Sequence, residues 1–420
     1  MLSLEQIVRD PEKFRVALVR RGEDPPIDRI VELDSRRKEL IQQADTDRAN
    51  RNKVSKAIGD EKRKPTPEEI TEMRAAGERI KNVEAELATV LDDLQETLLP
   101  IPNTPMEDVP DGVDEDSNVV VRISEGSTDG HGNAHWDVAT DLGILDLEAG
   151  ASISGARFYV LKGKGARLQR ALSAWMLDIQ TEEHGYTEID PPLLIRQETM
   201  IGSGNLPKFK DNLYRDEETD LWLVPTAEVA LNGLHQGQII DPGVLPLKYV
   251  AQTPSFRKEH TSAGRDVRGI KRVHQFEKVE MFRYVTPEDS DAALEEMLTE
   301  AETLCERLGL TYRVVQLCAG DIGFQSAKTY DIEVWSAGSE EWLEGSSIST
   351  CTDFQARRNG TRYRPEVGAS TKLPHTLNGS GLALPRIWIA VIENGLQEDG
   401  SVVIPEVIVP YTGWSTIEAV

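Results

Sequence analysis

Length and charge limit the classes of protein to which this chain can belong. It has 420 residues, so we expect two or three domains. Its net charge of −25 repels nucleic acids and membranes at long range. Any nucleic-acid site must therefore be a local basic patch. It has no apolar run of about eighteen residues, no signal-peptide pattern and too few cysteines for a disulfide framework, which together predict a cytoplasmic protein without a membrane span.

Two long amphipathic helices are predicted over residues 27–99. Apolar residues recur at heptad spacing, first through positions 30, 33, 37, 40, 44, 47, 51, 54 and 58, then through positions 70, 73, 77, 80, 84, 87, 91, 94 and 98. Gly59 can end the first helix and Pro67 can begin the second. At 1.5 Å per residue each helix would be roughly 50 Å long. The pattern therefore predicts a projecting antiparallel hairpin.

The predicted turn of this hairpin is basic, although the chain as a whole is acidic. Between residues 48 and 64, seven basic residues face two acidic ones, a local charge of +5. The basic residues are Arg48, Arg51, Lys53, Lys56, Lys62, Arg63 and Lys64. Such a cluster is either a solvated helix face or an arm that binds phosphates.

A proline-rich segment follows the hairpin and separates two predicted domains, at residues 1–110 and 111–420. Its prolines are Pro100, Pro102, Pro105 and Pro110. From about residue 115 onward, strand-like and helix-like segments mix without a regular βαβ order. This mixture predicts an α+β domain built on an antiparallel sheet.

The segment "PSFRKEHTSAGRDVRGIKRVHQFEKVE", residues 254–280, predicts two strands joined by a loop at 260–272. Alternate side chains of a strand share a face. Arg257 and Glu259 would therefore share a face of the first strand. Phe276, Lys278 and Glu280 would share a face of the second. If the strands pair, an arginine, two glutamates and an aromatic ring converge. Long hairpin loops are often binding loops.

These side chains suit a nucleotide. Arg257 could bridge phosphate oxygens, Phe276 could stack on a base, and Glu259 could accept a hydrogen bond from an exocyclic amine. Glu280 could bind a small polar substrate. The other interpretation is a surface ion-pair network around a core phenylalanine. "LKGKGARL" matches neither phosphate-loop spacing, so a bound ATP would lie on the sheet.

The same segment resembles motif 2 of class II aminoacyl-tRNA synthetases, and more narrowly that of the seryl-tRNA synthetase family. "HGYTEIDPPLLI" resembles motif 1, with Pro192 at its characteristic proline, and "GSGNLPKF" and "LVPTAEVAL" resemble further family blocks. "DFQARR" and "TLNGSGLALPRIWIAVIEN" resemble the end of the active-site sheet and motif 3. The resemblance extends over essentially the whole chain, and the predicted hairpin occupies the place of the family's tRNA-binding arm.

The resemblance implies a site for ATP. Arg257 would hold the α-phosphate and the reacting carboxylate, and Arg386 would meet the γ-phosphate; these are the implied catalytic residues. For Arg386 the other interpretation is a salt bridge at a helix start. Glu344 and Ser347 would be the Mg²⁺ ligands. The implied ATP contacts are Arg257, Lys258, Glu259, Val273, Phe276, Glu344, Gly345, Ser346, Ser347 and Arg386.

The resemblance also implies a pocket for L-serine. A carboxylate would pair with the substrate ammonium, and Glu280 with Ser380 would engage its hydroxyl. Such a site rejects alanine because a buried polar group would lose its partner, a discrimination of ~10⁴ or more. Thr226 could in addition be a helix N-cap. The implied serine contacts are Thr226, Ala227, Glu228, Arg257, Glu280 and Ser380.

The implied activity is ATP-dependent attachment of L-serine to tRNA(Ser) through a seryl-adenylate, by a homodimer, and tRNA(Sec) is a further candidate substrate. The chain departs from the family pattern at Gly345, Thr350 and Pro385, where a branched apolar residue, asparagine and glycine are common. We expect these departures to affect the catalytic rate or the sensitivity to serine analogues more than the type of reaction.

Two alternatives to this activity remain open. One is a paralogue that resists a serine-mimicking inhibitor or supplies seryl-tRNA to a biosynthetic pathway. The other is a non-catalytic RNA-binding protein with an inactive synthetase domain, against which the intact site residues argue. Separately, "HGNAH" places His131 and His135 at a metal-like spacing. Without a third ligand nearby in the sequence, we do not predict a metal site there.

Overall fold

The computed structural model describes residues 1–259 and 268–419, and residue contacts divide them into two units, Met1–Pro102 and Asn103–Val420. The division falls in the proline-rich segment. The helices of the N-terminal unit are α1 (Leu4–Arg9), α2 (Pro11–Val19), α3 (Ile27–Asp60) and α4 (Pro67–Leu98). In the described part of the chain, no helix is both long and apolar enough to cross a bilayer.

Helices α3 and α4 form the predicted antiparallel hairpin. Cross-helix ion pairs fix their direction, since Arg36 binds Glu86 and Arg48, further along α3, binds Glu84. Helix α4 begins as predicted, with Pro67 in its first turn. The preceding residue, Thr66, accepts a hydrogen bond from the Glu69 N–H, and the Glu69 carboxylate accepts one from the Thr66 N–H. This capping box satisfies two backbone donors that the helix cannot.

The predicted heptad register is confirmed in α3 but partly wrong in α4. Leu91 and Ile70, both placed on the buried stripe, are each 47% exposed. The buried residues of α4 are Ala76, Ile80, Val83, Val90, Leu94 and Leu98. At predicted positions 77, 84 and 91 of the stripe, the buried residue thus lies one position earlier, at 76, 83 and 90. The predicted stripe contained Leu91 where the structure buries Val90, and Glu84 where it buries Val83.

The C-terminal unit mixes strands and helices along its length. Its strands are β1 (Val119–Ile123), β2 (Leu145–Asp146), β3 (Val160–Leu161), β4 (Thr187–Glu188), β5 (Leu194–Arg196), β6 (Leu221–Leu223), β7 (Ile239–Ile240), β8 (Leu247–Phe256), β9 (Gln275–Val285), β10 (Tyr312–Gln316), β11 (Lys328–Ser336), β12 (Glu341–Thr352), β13 (Arg362–Tyr363), β14 (His375–Ala383), β15 (Val402–Val403) and β16 (Thr416–Ile417). Its helices are α5 (His135–Asp141), α6 (Leu147–Ser154), α7 (Lys164–Glu182), α8 (Gln197–Ser203), α9 (Ala227–Gly233), α10 (Ser290–Arg307), α11 (Phe354–Asn359), α12 (Leu384–Asn394) and α13 (Val409–Thr412).

Eight of these strands form one sheet in the order β1-β10-β11-β12-β14-β9-β8-β4. Neighbouring strands are antiparallel except β4 and β8, which are parallel. The predicted α+β fold is therefore confirmed. Alternation along β9 separates two faces of the sheet. Val279 and Met281 enter the core shared with α7, α10 and α12, whereas Lys278 and Glu280 face a cavity.

A bulge in β12 shapes the wall of this cavity. Ser346 lies opposite Ile332 and Glu344 lies opposite Glu333, which leaves Gly345 as the extra residue. In an uninterrupted strand, residues three apart point to opposite faces. The bulge reverses the alternation, so that Glu344 and Ser347 both line the cavity.

Candidate active site

The predicted hairpin of strands β8 and β9 is present, with Thr253 opposite Lys278. Strand β8 ends at Phe256, and Glu259 has a left-handed backbone with φ of +48°. The predicted reason for Arg257 and Glu259 sharing a face, strand alternation, is therefore wrong. Both residues nevertheless line one cavity. The part of the predicted loop at 260–267 lies outside the described residues.

The cavity has a volume of about 340 Å³ and lies among β9, β12, β14, the residues that follow β8, and the first turns of α9 and α12. These elements are far apart in the sequence, and the sheet brings them together. Most predicted site residues line it, namely Thr226, Glu228, Arg257, Glu259, Val273, Phe276, Glu280, Glu344, Ser347, Ser380 and Arg386.

Arg257 is held in a defined orientation at the end of β8. Its guanidinium carbon lies 5.2 Å from the centroid of the Phe276 ring, a cation–π contact. Its Nε donates to the Pro225 carbonyl at 3.1 Å, and its backbone N–H donates to the His274 carbonyl at 2.9 Å. Phe276 is half-buried at the cavity wall, so its ring is not enclosed in the core. The arginine and the ring act together at one surface.

Arg386 lies in the first turn of α12 and contacts β12. It donates to the Glu344 carbonyl at 2.7 Å and lies 3.0 Å from Glu344 Oε2. The salt bridge at a helix start thus exists, and the same side chain lines the cavity. Desolvation at the cavity wall would raise the pKa of Glu344, but the charges of Arg386 and Arg257 outweigh it and lower that pKa. The Glu344 carboxylate is therefore favoured in its ionised form.

The oxygen atoms near Glu344 fit a hard divalent cation. Asp331 pairs with Ser347 across β11 and β12, and its Oδ1 is buried without a hydrogen-bond partner among the described residues. Burial, together with the charge of Glu344, raises the pKa of Asp331 well above its ordinary value. Carboxylate and hydroxyl oxygens are suitable ligands for Mg²⁺. Asp331 belongs to none of the quoted motifs and was not among the predicted site residues.

The opposite part of the site combines a capped helix with buried carboxylates. Thr226 caps α9 by accepting a hydrogen bond from the Glu228 N–H at 3.4 Å, so the N-cap interpretation is confirmed, and the residue also lines the cavity. Glu228 is 3% exposed and accepts a hydrogen bond from Gln355 at 2.6 Å. Burial and the nearby charge of Glu280 raise the pKa of Glu228 to about 7.

Glu280 is buried on β9, opposite Ser380 of β14, and forms an ion pair with Lys278. Alternation along β9 placed Lys278 on this face, yet it was not among the predicted site residues. Other lining residues that sequence reasoning did not assign to the site are Lys271, Arg272, Gly323, Gln325, Ser326, Ser349, Asn378, Ala383 and Pro385. Several of them lie on segments without a recognisable motif.

Four predicted site residues have no side chain on the cavity wall. The Lys258 ammonium lies 5.6 Å from the Tyr214 ring centroid, and Ala227 is fully buried in a separate core cluster. The Ser346 hydroxyl donates to the Ser380 carbonyl at 2.5 Å, and Gly345 is the bulge residue. Their side chains therefore do not support the predicted roles. Ala227, Gly345 and Ser346 could contact a ligand in the cavity only through backbone atoms.

The departures from the family pattern lie mostly away from the cavity. A Cβ on Gly345 would lie 3.1 Å from Ile387 Cδ1, so the core side chain of α12 fills that space. Thr350 is fully buried, with its hydroxyl 3.1 Å from that of Ser290. Pro385 lines the cavity but lies in the first turn of α12, where its missing N–H costs little.

Two family models match the chain. The seryl-tRNA synthetase N-terminal domain matches residues 1–105, and the tRNA synthetase class II core domain (G, H, P, S and T) matches residues 208–395. A relative named serine–tRNA ligase from Thermomicrobium roseum is 53% identical over 416 residues, which cover 98% of this chain and 94% of the relative. The chain belongs to the seryl-tRNA synthetase family.

Solved structures of the seryl-tRNA synthetase family have the same fold. The enzyme from Pyrococcus horikoshii, complexed with ATP, superposes over the whole of both chains with a TM-score of 0.94 at 36% identity. The cytoplasmic serine–tRNA ligase from Naegleria fowleri, in complex with AMP, has a TM-score of 0.87 at 30% identity and covers 98% of this chain and 96% of its own. The resemblance found in the sequence is confirmed.

Proposed function

We propose that the chain attaches L-serine to tRNA in two steps, with ATP as the second substrate, at the cavity of the β8–β9 hairpin. The single observation that carries this proposal is the convergence of Arg257, Phe276 and Glu280 with Arg386 around one cavity. Cations, an aromatic ring and buried carboxylates together meet the needs of a nucleoside triphosphate beside an amino acid.

In the first step, the serine carboxylate attacks the α-phosphorus of ATP. A new bond forms between the carboxylate oxygen and phosphorus, and the bond to the β-phosphate oxygen breaks, releasing pyrophosphate. Arg257 neutralises charge at the α-phosphate, and Arg386 binds the γ-phosphate end. Glu344 and Ser347 would hold a Mg²⁺ ion, which would supply further charge neutralisation. Positioning and charge stabilisation suffice, because the attacking group belongs to the substrate.

The same cavity selects serine. Glu228 pairs with the substrate ammonium, while Glu280 and Ser380 hydrogen-bond its hydroxyl. Alanine would leave these buried groups without a partner, and a site of this kind rejects such analogues strongly. The buried surroundings of Glu228 and Glu280 support this assignment, since an unpaired polar group is costly only where water cannot replace the ligand.

In the second step, the oxygen of the 3′-terminal hydroxyl of tRNA attacks the seryl carbonyl carbon and forms an ester bond. The bond from that carbon to the phosphate oxygen breaks, so that AMP leaves with its bonding electrons and the hydroxyl proton is released. We assign tRNA binding to the arm, residues 27–99 of an N-terminal domain spanning 1–110, ahead of a catalytic domain at 111–420. Among the described residues, no acidic side chain lies within ion-pair distance of five exposed basic residues of its tip. These are Arg51, Lys53, Lys56, Lys62 and Lys64.

The other two basic residues at the tip are already paired within the arm. Arg48 binds Asp45 and Glu84, and Arg63 binds Glu61 and Glu69. Phosphate contacts by the five remaining cations suit recognition of RNA by shape. The long variable arm of tRNA(Ser) is the assigned partner, and tRNA(Sec) is the second candidate.

A homodimer and a cytoplasmic location complete the proposal. The motif 1 segment includes β4, at an edge of the eight-stranded sheet, and Leu194, which is 50% exposed; an exposed edge of this kind supports pairing with a second copy. Cys305, Cys318 and Cys351 are buried free thiols, which suits a reducing compartment. Sedimentation at the mass of one chain would contradict the dimer.

The comparisons give no support to the two alternatives, an inhibitor-resistant or pathway paralogue and a non-catalytic RNA-binding protein. The test is pyrophosphate exchange into ATP, with serine present and with threonine, alanine or cysteine in its place. We expect exchange with serine and far less with the other three. Charging of tRNA(Ser) and tRNA(Sec) should then be measured. Exchange that is absent, or equally fast with alanine, would contradict the proposal.

A further inference from the structure

The "HGNAH" motif is engaged with the end of α12. His131 Nε2 lies 2.9 Å from the Glu393 carbonyl oxygen, and His135 Nδ1 lies 2.9 Å from Glu393 Oε1. The side chains of His135 and Glu393 are fully buried. The spacing of the two histidines therefore serves a common contact with one residue of α12.

The remaining nitrogen of His135 fixes its tautomer. The Ile270 backbone N–H donates to His135 Nε2 at 3.1 Å, so this nitrogen carries no proton. Nδ1 then carries the proton and donates it to Glu393 Oε1. Burial lowers the pKa of His135, which keeps the ring neutral. The ring thus connects a buried carboxylate to the backbone that returns from the β8–β9 loop.

Glu393 is a rigid support for this ring. Its carboxylate also accepts hydrogen bonds from the Gly338 and Ser339 N–H groups, each at 3.0 Å, and from the Ser336 hydroxyl. Burial would raise the pKa of Glu393, but the hydrogen bonds from His135 and Ser336 outweigh it and lower that pKa to about 2. An ionised, fully engaged carboxylate leaves His135 little freedom to rotate.

The returning backbone lies directly against His135 and its neighbour Trp136. Gly269 has φ of +74°, and a Cβ there would overlap His135 Nε2. The Arg268 guanidinium and the Lys271 ammonium lie 5.0 and 5.3 Å from the Trp136 ring centroid. Only a glycine allows this close approach. The segment therefore packs closely against the two rings.

Residues that line the cavity follow immediately after this contact. Lys271, Arg272 and Val273 all lie on its wall, and Arg272 lies 3.6 Å from Glu259. A shift of Ile270 would move all three. We propose that His135, held by Glu393, is a positioning residue that places segment 271–273 against the nucleotide. This inference rests on the proposed function, which assigns ATP to that wall.

The test uses two substitutions that each keep half of the imidazole. His135→Gln places an amide oxygen near the position of Nε2 and can still accept from Ile270. His135→Asn places an amide nitrogen near the position of Nδ1 and keeps only the bond to Glu393. In serine-dependent pyrophosphate exchange, we expect His135→Asn to raise the KM for ATP roughly tenfold, because a buried backbone N–H loses its acceptor. His135→Gln should stay within about threefold of the unaltered chain, and the KM for serine should change little in either variant.

A second readout does not depend on catalysis. Hydrogen exchange followed by mass spectrometry should show faster deuterium uptake in residues 268–273 for His135→Asn than for His135→Gln. His235→Gln is the matched control, since this half-buried histidine contacts Tyr249 and does not line the cavity. Equal KM values for ATP and equal uptake in the two His135 variants would overturn the inference. An inactive unaltered chain would instead contradict the proposed function, and the uptake difference would still decide the positioning role.

Gly269→Ala tests the same contact from the loop side, in case the His135 variants do not fold. Its added methyl group should displace the segment from His135 and raise the KM for ATP by at least as much as His135→Asn does. A Gly269→Ala variant with an unchanged KM for ATP would overturn the inference.

Discussion

An ion pair between the two helices of the arm is exposed, whereas one on the cavity wall is almost enclosed. In the arm, Arg36 and Glu86 pair at 2.6 Å with side chains 43% and 49% exposed. In the cavity, the side chains of Lys278 and Glu280 are 9% and 1% exposed. Exposed pairs contribute about 0–1 kcal/mol each, while a buried charge that loses its partner costs several kcal/mol. Under the proposed function, tRNA binding by the arm would therefore depend on the number of cations, and the chemistry in the cavity would depend on individual side chains.

The largest expected effect is that of a single cavity residue. Arg257→Ala should lower serine-dependent pyrophosphate exchange by about 10³-fold or more, because a guanidinium that stabilises a transferring phosphoryl group is worth that much. Arg215→Ala is the matched control, since Arg215 also lies over an aromatic ring, 5.3 Å from the centroid of Trp222, but does not line the cavity. Retained exchange in Arg257→Ala would contradict the difference between the two regions.

The next effect concerns the corrected packing register of the arm. Leu94→Ala should lower the free energy of unfolding of the N-terminal unit by about 2–3 kcal/mol, because it opens a cavity in the buried stripe. Leu91→Ala, at a side chain 47% exposed, should cost less than about 0.5 kcal/mol. Urea unfolding followed by circular dichroism measures both. Equal losses of unfolding free energy in the two variants would support the register predicted from the sequence.

Neutralising the basic tip should act only on tRNA. Replacing Arg51, Lys53, Lys56, Lys62 and Lys64 by glutamine should raise the KM for tRNA by roughly 30-fold and flatten its salt dependence, because phosphate contacts release counterions. Pyrophosphate exchange should not change. The control replaces Arg29 and Arg36, which already pair with Asp93 and Glu86. A similar rise in the KM for tRNA in the control would show that the location of the cations at the tip is unimportant.

The smallest effect is a pH dependence of serine binding. The pKa of Glu228 is raised to about 7 from its ordinary 4.5, so the carboxyl loses its charge as pH falls through 7. The KM for serine should therefore rise by up to about tenfold between pH 8 and pH 6. Glu228→Gln should remove this dependence, and a flat profile in the unaltered chain would contradict the pairing with ammonium.

The raised pKa of Glu228 also makes the free energy of unfolding depend on pH. The folded chain binds this proton more tightly than the unfolded chain, so the contribution of Glu228 to the free energy of unfolding falls as pH rises from about 4.5 to 7. A carboxylate of the arm whose pKa is lowered, such as Glu69 next to Arg63, acts in the opposite direction. Glu228 and Glu69 therefore respond to pH with opposite signs.

Local features of the sequence predicted the helices of the arm and the β9 wall of the cavity, whereas the resemblance to the family supplied Thr226, Glu228, Glu344, Ser347, Ser380 and Arg386. Pro67 with its acidic neighbours marked the start of α4, since helix caps depend on residues within one turn. Alternation along β9 placed Phe276, Lys278 and Glu280 on one face. The same reasoning failed for Glu259, because no local signal shows that β8 ends at Phe256. It also failed for Leu91, whose burial is decided by the opposite helix.

What the sequence by itself determined were the two long helices, the basic tip and the strand faces, because each depends on neighbours within a few positions. Only the tertiary structure decided that the Gly345 bulge turns Glu344 and Ser347 to one wall, that Asp331 lies beside them, and that His135 meets Glu393. The last two residues are 258 positions apart. Strand register and helix packing bring such groups together, and neither follows from the periodicity of a single segment.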